Sequence, residues 1–74
     1  MPFKLTRKGR AALATPEDLS DEKVEILWIV KERNEERGGI TQLKDIVQEA
    51  GRGRETFADV RDLLRRGYLE AFDY

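Results

Sequence analysis

The sequence predicts a small α+β domain, mainly helical, in which a three-helix core packs beside a short antiparallel β-sheet. Two amphipathic segments, 41–50 and 54–66, are separated by a glycine-containing turn and followed by Gly67. Short apolar-rich segments near both ends of the chain are typical of strands. With 74 residues, of which 39% are hydrophobic, the chain has enough apolar material for one modest core. We therefore expect one domain over 1–74.

The segment 1–14 is predicted to form a basic strand and a short helix. In Pro2-Phe3-Lys4-Leu5 the apolar residues alternate, which places Phe3 and Leu5 on one face of a strand. Thr6 is the expected cap of a helix over 7–14, although Gly9 weakens that helix. We expect Phe3 to Thr6 to pair antiparallel with part of 68–72, because neither segment has another evident partner and a lone strand leaves its amides unpaired.

The segment 20–37 is predicted to be the central helix. Ser20, followed by Asp21 and Glu22, is a strong helix start, and Gly38-Gly39 is the expected end. The apolar residues of this segment fall nearly all round its circumference, so we expect the other helices to surround it. Trp28 lies among aliphatic residues and is expected in the core.

The segment 41–66 is predicted to be a helix-turn-helix. Thr41 is the expected cap of the first helix, whose apolar residues recur at i, i+3, i+4 and i+7, and Gly51 is its expected end. The second helix, 54–66, is expected to bury an apolar face before Gly67, and a strand over 68–74 follows. One core is expected to contain Val24, Leu27, Trp28, Ile46, Val47, Phe57, Val60 and Leu64.

The order helix, glycine turn, helix, glycine and strand resembles the winged helix-turn-helix domains of prokaryotic transcription regulators. The resemblance covers 20–74 and is carried by Leu63-Leu64-Arg65-Arg66-Gly67-Tyr68-Leu69-Glu70. In those domains the second helix of the pair enters DNA and the strand after it begins the wing. The phrase Leu5-Thr6-Arg7-Lys8-Gly9-Arg10 resembles a segment that usually follows the wing. Its place here suggests that the N-terminal strand supplies the sheet partner normally found there.

Charge is segregated along the chain although the net charge is only −1. The first 14 residues and the last helix are basic, and the segment between them is acidic. The resemblance and these clusters together favour a regulator or accessory protein that binds double-stranded DNA. The residues expected to contact DNA are Lys4, Arg7, Lys8, Arg10, Arg52, Arg54, Arg61 and Arg65.

The helical wheel of 54–66 gives an alternative. At about 100° per residue, with the buried side set by the apolar residues, Arg54, Arg61 and Arg65 form a stripe on one flank. An acidic outer face then lies directly opposite the core, and its members are Glu55, Asp59 and Asp62. Carboxylates on that face repel phosphates, so they favour a protein-protein interaction module that binds no DNA. Both functions stay open at this point.

Several classes of function are not expected. The sequence contains no histidine to activate a hydroxyl nucleophile and no cysteine for thiolate chemistry or disulfides. We therefore expect no catalytic residue, no metal site, no cofactor and no small-molecule substrate. No apolar run approaches the length that spans a bilayer, so we expect a cytoplasmic protein without a membrane partner.

Overall fold

A computed structural model describes residues 2–15, 19–36 and 41–72, and over these ranges the chain is α+β and mainly helical, as the sequence predicts. In chain order the elements are β1 (Pro2–Leu5), α1 (Arg7–Ala14), α2 (Asp21–Glu36), β2 (Thr41–Gln42), α3 (Leu43–Ala50), α4 (Arg54–Arg65) and β3 (Leu69–Ala71). The predicted helix end at Arg37 to Gly39 lies outside the described residues.

The three strands form one antiparallel sheet in the order β2-β1-β3. Leu5 pairs with Leu69 and Phe3 with Ala71, which confirms the predicted pairing of the N-terminal strand with the segment after the last helix. The opposite edge of β1 pairs with β2, where Phe3 lies across from Thr41. The first strand therefore occupies the centre of the sheet.

The prediction that Thr41 caps the first helix of the pair is wrong. Thr41 is a strand residue, fully buried, and its hydroxyl donates a hydrogen bond to Oδ1 of Asn34 at 3.1 Å. Gln42 is the cap of α3, and its backbone N–H donates to the Asp45 carboxylate at 3.1 Å. The free edge of β1 explains the difference, because pairing with it holds Thr41 in an extended conformation.

Helix α2 lies at the centre of the fold and packs against α1, α3, α4 and β1. Its start is as predicted, since the Ser20 hydroxyl accepts a hydrogen bond from the Lys23 N–H at 3.4 Å. Ile26, Leu27 and Val30 have no exposed surface. Trp28 is 44% exposed, so its predicted place in the core is wrong. It stands on the side of α2 opposite Ile26 and Val30, and that side faces away from the core.

Helix α1 packs so closely against Tyr68, the residue immediately before β3, that only glycine fits at position 9. Thr6 caps α1 as predicted, accepting a hydrogen bond from the Gly9 N–H at 3.0 Å. A Cβ added at Gly9 would stand 2.2 Å from the Tyr68 carbonyl oxygen and 2.9 Å from Cδ1 of Leu5. Gly9 is a poor helix former, but its lack of a side chain lets the helix and the sheet touch.

Candidate nucleic-acid interface

The turn between α3 and α4 depends on two glycines. Gly51 ends α3 in the left-handed conformation with φ 70°, as expected, and its N–H donates to the Val47 carbonyl at 3.1 Å. Gly53, with φ 56°, caps α4. A residue with a side chain is strained at either position, so this short turn fixes where α4 begins.

The buried face of α4 differs from the predicted one. Thr56, Val60 and Leu63 are buried, whereas Phe57 is 48% exposed and Leu64 is only partly buried. Of the eight expected core residues, Leu27, Ile46 and Val60 are buried in the core. Three others are partly buried, namely Val24, Val47 and Leu64. The prediction that Phe57 is a core residue is wrong.

This change rotates the outward face of α4. At about 100° per residue from Arg54, the buried residues centre near about 205°, so the outermost direction lies near about 25°. Arg54, Ala58, Arg61 and Arg65 fall at about 0°, 40°, 340° and 20°. All four are exposed. The predicted acidic outer face is therefore a flank, and the arginine stripe faces directly outward.

The arginines of this stripe have no ion-pair partner among the described residues. Over the described ranges, Arg54, Arg61 and Arg65 form no ion pair with any carboxylate. Phe57 and Ala58, both exposed, lie beside them. The outermost side of α4 thus presents three guanidinium groups that no carboxylate of the described ranges neutralises.

Two of the three carboxylates on the flank are held by cations. Asp59 accepts a hydrogen bond from Arg52 at 2.9 Å. Asp62 contacts Nζ of Lys23 at 2.7 Å and Nη1 of Arg66 at 3.4 Å. The hydrogen bond from Lys23 lowers the pKa of Asp62 below its ordinary 3.8, and Arg66 adds to the effect. Glu55 is exposed and forms no ion pair within the described residues.

The basic N-terminal segment reaches the end of α4 through one residue. Lys8 donates a hydrogen bond to the Arg66 carbonyl at 2.6 Å, and its Nζ lies 4.6 Å from the centre of the Tyr68 ring. The Arg66 guanidinium lies 5.4 Å from the same ring. The sequence alone does not indicate this cluster, because the cluster depends on the close approach of α1 at Gly9.

The other predicted DNA contacts are dispersed. Lys4 lies 3.7 Å from Glu70 across the sheet, and Arg7 is exposed without an ion pair in the described part of the chain. Arg10 contacts Glu35 of α2 at 3.1 Å, and its hydrogen bond is the main cause of a lowered pKa of that carboxyl. Arg52 is tied to Asp59. The structure therefore brings Lys8 and Arg65 to one end of α4 and directs Arg10 toward α2.

Other kinds of site have little support in the described ranges. No group of three or more His, Cys, Asp or Glu residues there is arranged to hold a metal ion. None of the helices in those ranges is both long enough and apolar enough to cross a membrane. An open cleft of about 340 Å³ beside Arg52 and Asp59 is lined mainly by charged side chains.

No protein-family model, curated protein or solved structure significantly matches this chain.

Proposed function

We propose that this protein is a winged-helix domain that binds double-stranded DNA, with α4 as the helix that enters the major groove. The observation that carries the proposal is the outward stripe of Arg54, Arg61 and Arg65, exposed and without carboxylate partners among the described residues. A helix that follows a short turn after a first helix is the element that helix-turn-helix proteins insert into DNA.

The sheet supports the winged-helix part of the proposal. β3 follows α4 directly, and β1 lies beside it in the place that the resemblance assigns to the strand after the wing. This arrangement leaves the outward side of α4 uncovered by the described residues.

The stripe has dimensions that suit a major groove. From Arg54 to Arg65 the helix rises about 16 Å at 1.5 Å per residue, which spans about five base pairs. Arginine forms a bidentate contact with the major-groove edge of guanine, and it also binds phosphates. In the proposed complex the arginines meet base edges and adjacent phosphates, and Lys8 and Arg66 meet the backbone beyond the end of α4.

The protein-binding alternative has weaker support. It relied on Glu55, Asp59 and Asp62 as an outer face, and two of these three carboxylates are engaged in ion pairs on a flank. No contact in the described ranges favours that module over DNA binding, and the arginine stripe supports DNA binding.

The experiment is a titration of the protein with a short DNA duplex at several salt concentrations. Each phosphate contact contributes about 0.9 to the slope of log affinity against log salt concentration. We expect R54Q/R61Q to weaken binding and to lower that slope by up to about 1.8. NMR shifts in the wild-type protein should be centred on α4 and on the residues around Lys8.

The matched control is K44Q, which removes one exposed positive charge on α3. K44Q should lose much less affinity than R61Q, which also removes one charge. Equal losses would mean that only net charge matters. Absence of any amide shift at low salt and submillimolar duplex would rule out the proposal.

A further inference from the structure

The outward face of α2 carries an exposed tryptophan among carboxylates that the DNA-binding proposal leaves unused. Asp21, Glu25, Trp28 and Glu32 are all exposed and recur at i, i+4, i+7 and i+11, which places them in one stripe along the helix. The three carboxylates form no ion pair within the described ranges. We call these four residues the Trp28 face.

The outward face of α4 has the same spacing and the opposite charge. Arg54, Ala58, Arg61 and Arg65 also recur at i, i+4, i+7 and i+11, and all four are exposed. Each stripe rises about 16 Å along its helix. The uncharged residue of each stripe differs in size: it is the small Ala58 on α4 and the large Trp28 on α2.

We propose that the Trp28 face docks the arginine stripe of a second copy of this chain, with the two helices antiparallel. In that register Asp21 meets Arg65, Glu25 meets Arg61, and Glu32 meets Arg54. Trp28 then stands over Ala58, where the small side chain lets the backbone approach the indole. Every residue of each stripe has a partner of complementary charge or size.

The chemistry of the ring supports a cationic partner. Nζ of Lys31 already lies 5.2 Å from the centre of the Trp28 ring, so the indole accepts a cation within its own chain. Arg61 lies one turn from Ala58 on the docked helix and would stand over the face of the ring that Lys31 does not cover. Exposed ion pairs are individually weak, so the apolar contact of Trp28 is needed to localise the interface.

The contact joins two different surfaces, so it leaves one of each free unless two chains dock reciprocally. A pair of single helix faces is a small interface, and we expect association at about 0.1 mM or above, weakening with salt. DNA and a second copy would compete for Arg61, but self-association does not depend on DNA binding and is measured without DNA.

The test uses two neutralised variants, each lacking one side of the interface. E25Q/E32Q alters the Trp28 face, and R54Q/R61Q alters the facing residues of the arginine stripe. In sedimentation velocity at low salt, the wild-type protein should associate with rising concentration. Each variant alone should need about tenfold higher concentration. An equimolar mixture retains one intact interface and should form a 1:1 dimer that grows no further.

The matched control is E22Q/E70Q, which removes the same charge from exposed positions outside the Trp28 face and should associate like the wild type. Circular dichroism of all variants checks that they are folded. Wild-type protein that stays monomeric up to about 2 mM at low salt overturns the proposal, since even millimolar affinity would be visible. Variants that associate as strongly as the wild type, or a mixture that forms no dimer, also overturn it.

Discussion

Helices α2 and α4 distribute their charges in opposite ways. All three cations of α2 in the described range are paired: Lys23 with Asp62, Lys31 with Glu35, and Arg33 with Asp45 and Glu49. On α4 the carboxylates Asp59 and Asp62 are paired, whereas the arginines have no ion-pair partner in the part of the chain that the structure describes. Ion pairs thus neutralise the three cations of α2 and two of the three carboxylates of α4. A chain with a net charge of −1 thereby presents one acidic and one basic face.

The largest expected effect on stability comes from displacing α1, the helix that contacts both α2 and the end of α4. Helix α1 reaches α2 through Arg10 and the end of α4 through Lys8. In G9A the new Cβ would stand 2.2 Å from the Tyr68 carbonyl oxygen. Because that oxygen belongs to the backbone, the clash is relieved only if α1 moves away from Tyr68. We expect a loss of more than about 3 kcal/mol in the free energy of unfolding, by urea denaturation.

The control for G9A is A11G, an exposed site on the same helix that changes helix propensity in the opposite direction. It should cost about 1 kcal/mol. If G9A is instead the more stable of the two, helix propensity governs α1 and the close approach is not tight.

The orientation of α4, on which its basic face depends, is tested by truncating two neighbouring leucines. Leu63 has no exposed surface, so L63A should cost about 2–5 kcal/mol. Leu64 is partly buried, and L64A should cost about 1 kcal/mol. Thermal or urea unfolding of both variants gives the order. If L64A costs more than L63A, the buried face of α4 is the one that the sequence predicts. The acidic flank of α4 would then face outward, and α4 would not present a basic face opposite in charge to that of α2.

A smaller and opposite effect is expected on the inner side of α4. The Thr56 hydroxyl is buried and makes no hydrogen bond within the described residues. T56V keeps the shape and removes a buried hydroxyl that has no hydrogen-bond partner among the described residues, so it should stabilise the domain by about 1 kcal/mol. T41V is the comparison, because the Thr41 hydroxyl has a partner in Asn34 and its loss should destabilise. A destabilised T56V would indicate that a bound water satisfies Thr56.

The smallest expected effect is the contribution of the Asp62 and Glu35 ion pairs to the pH dependence of stability. The folded-state pKa of Asp62 lies below 3.8, and that of Glu35 below 4.5. A lowered folded pKa contributes stability that is present above the unfolded pKa and lost as pH falls through the folded value. We expect the melting temperature to fall when the pH is lowered from neutral to below 3.8, and to fall less in D62N than in the wild type. Identical acid dependence would show that Lys23 and Asp62 do not interact in solution.

Local signals predicted much of this structure, whereas faces that depend on tertiary packing were predicted poorly. The Thr6 and Ser20 caps and the end at Gly51 each depend on a few neighbouring residues, and each is confirmed. The pairing of β1 with β3 is also confirmed, because two short apolar segments had few alternatives.

The two exposed aromatic residues of α2 and α4 lie where their residue type does not predict them. Trp28 and Phe57 were expected inside because large apolar side chains usually are, and Phe57 then set the wheel of α4. The space below α4 is filled instead by Leu63 and by Thr56, a polar residue that periodicity does not mark as buried. Which side of a helix faces the core is decided by the neighbours that it meets, and a single segment does not contain that information.

The central place of β1 has a consequence for the order in which the domain forms. On the ribosome this strand is made before both of its partners, and the β3 partner is the last described element to emerge. The four helices make contacts that are close in sequence, so they can assemble earlier than the sheet. Until residues 69–71 appear, the nascent chain carries a strand with an unpaired edge. A synthesis stalled before that point would leave a helical intermediate prone to strand pairing between neighbouring chains.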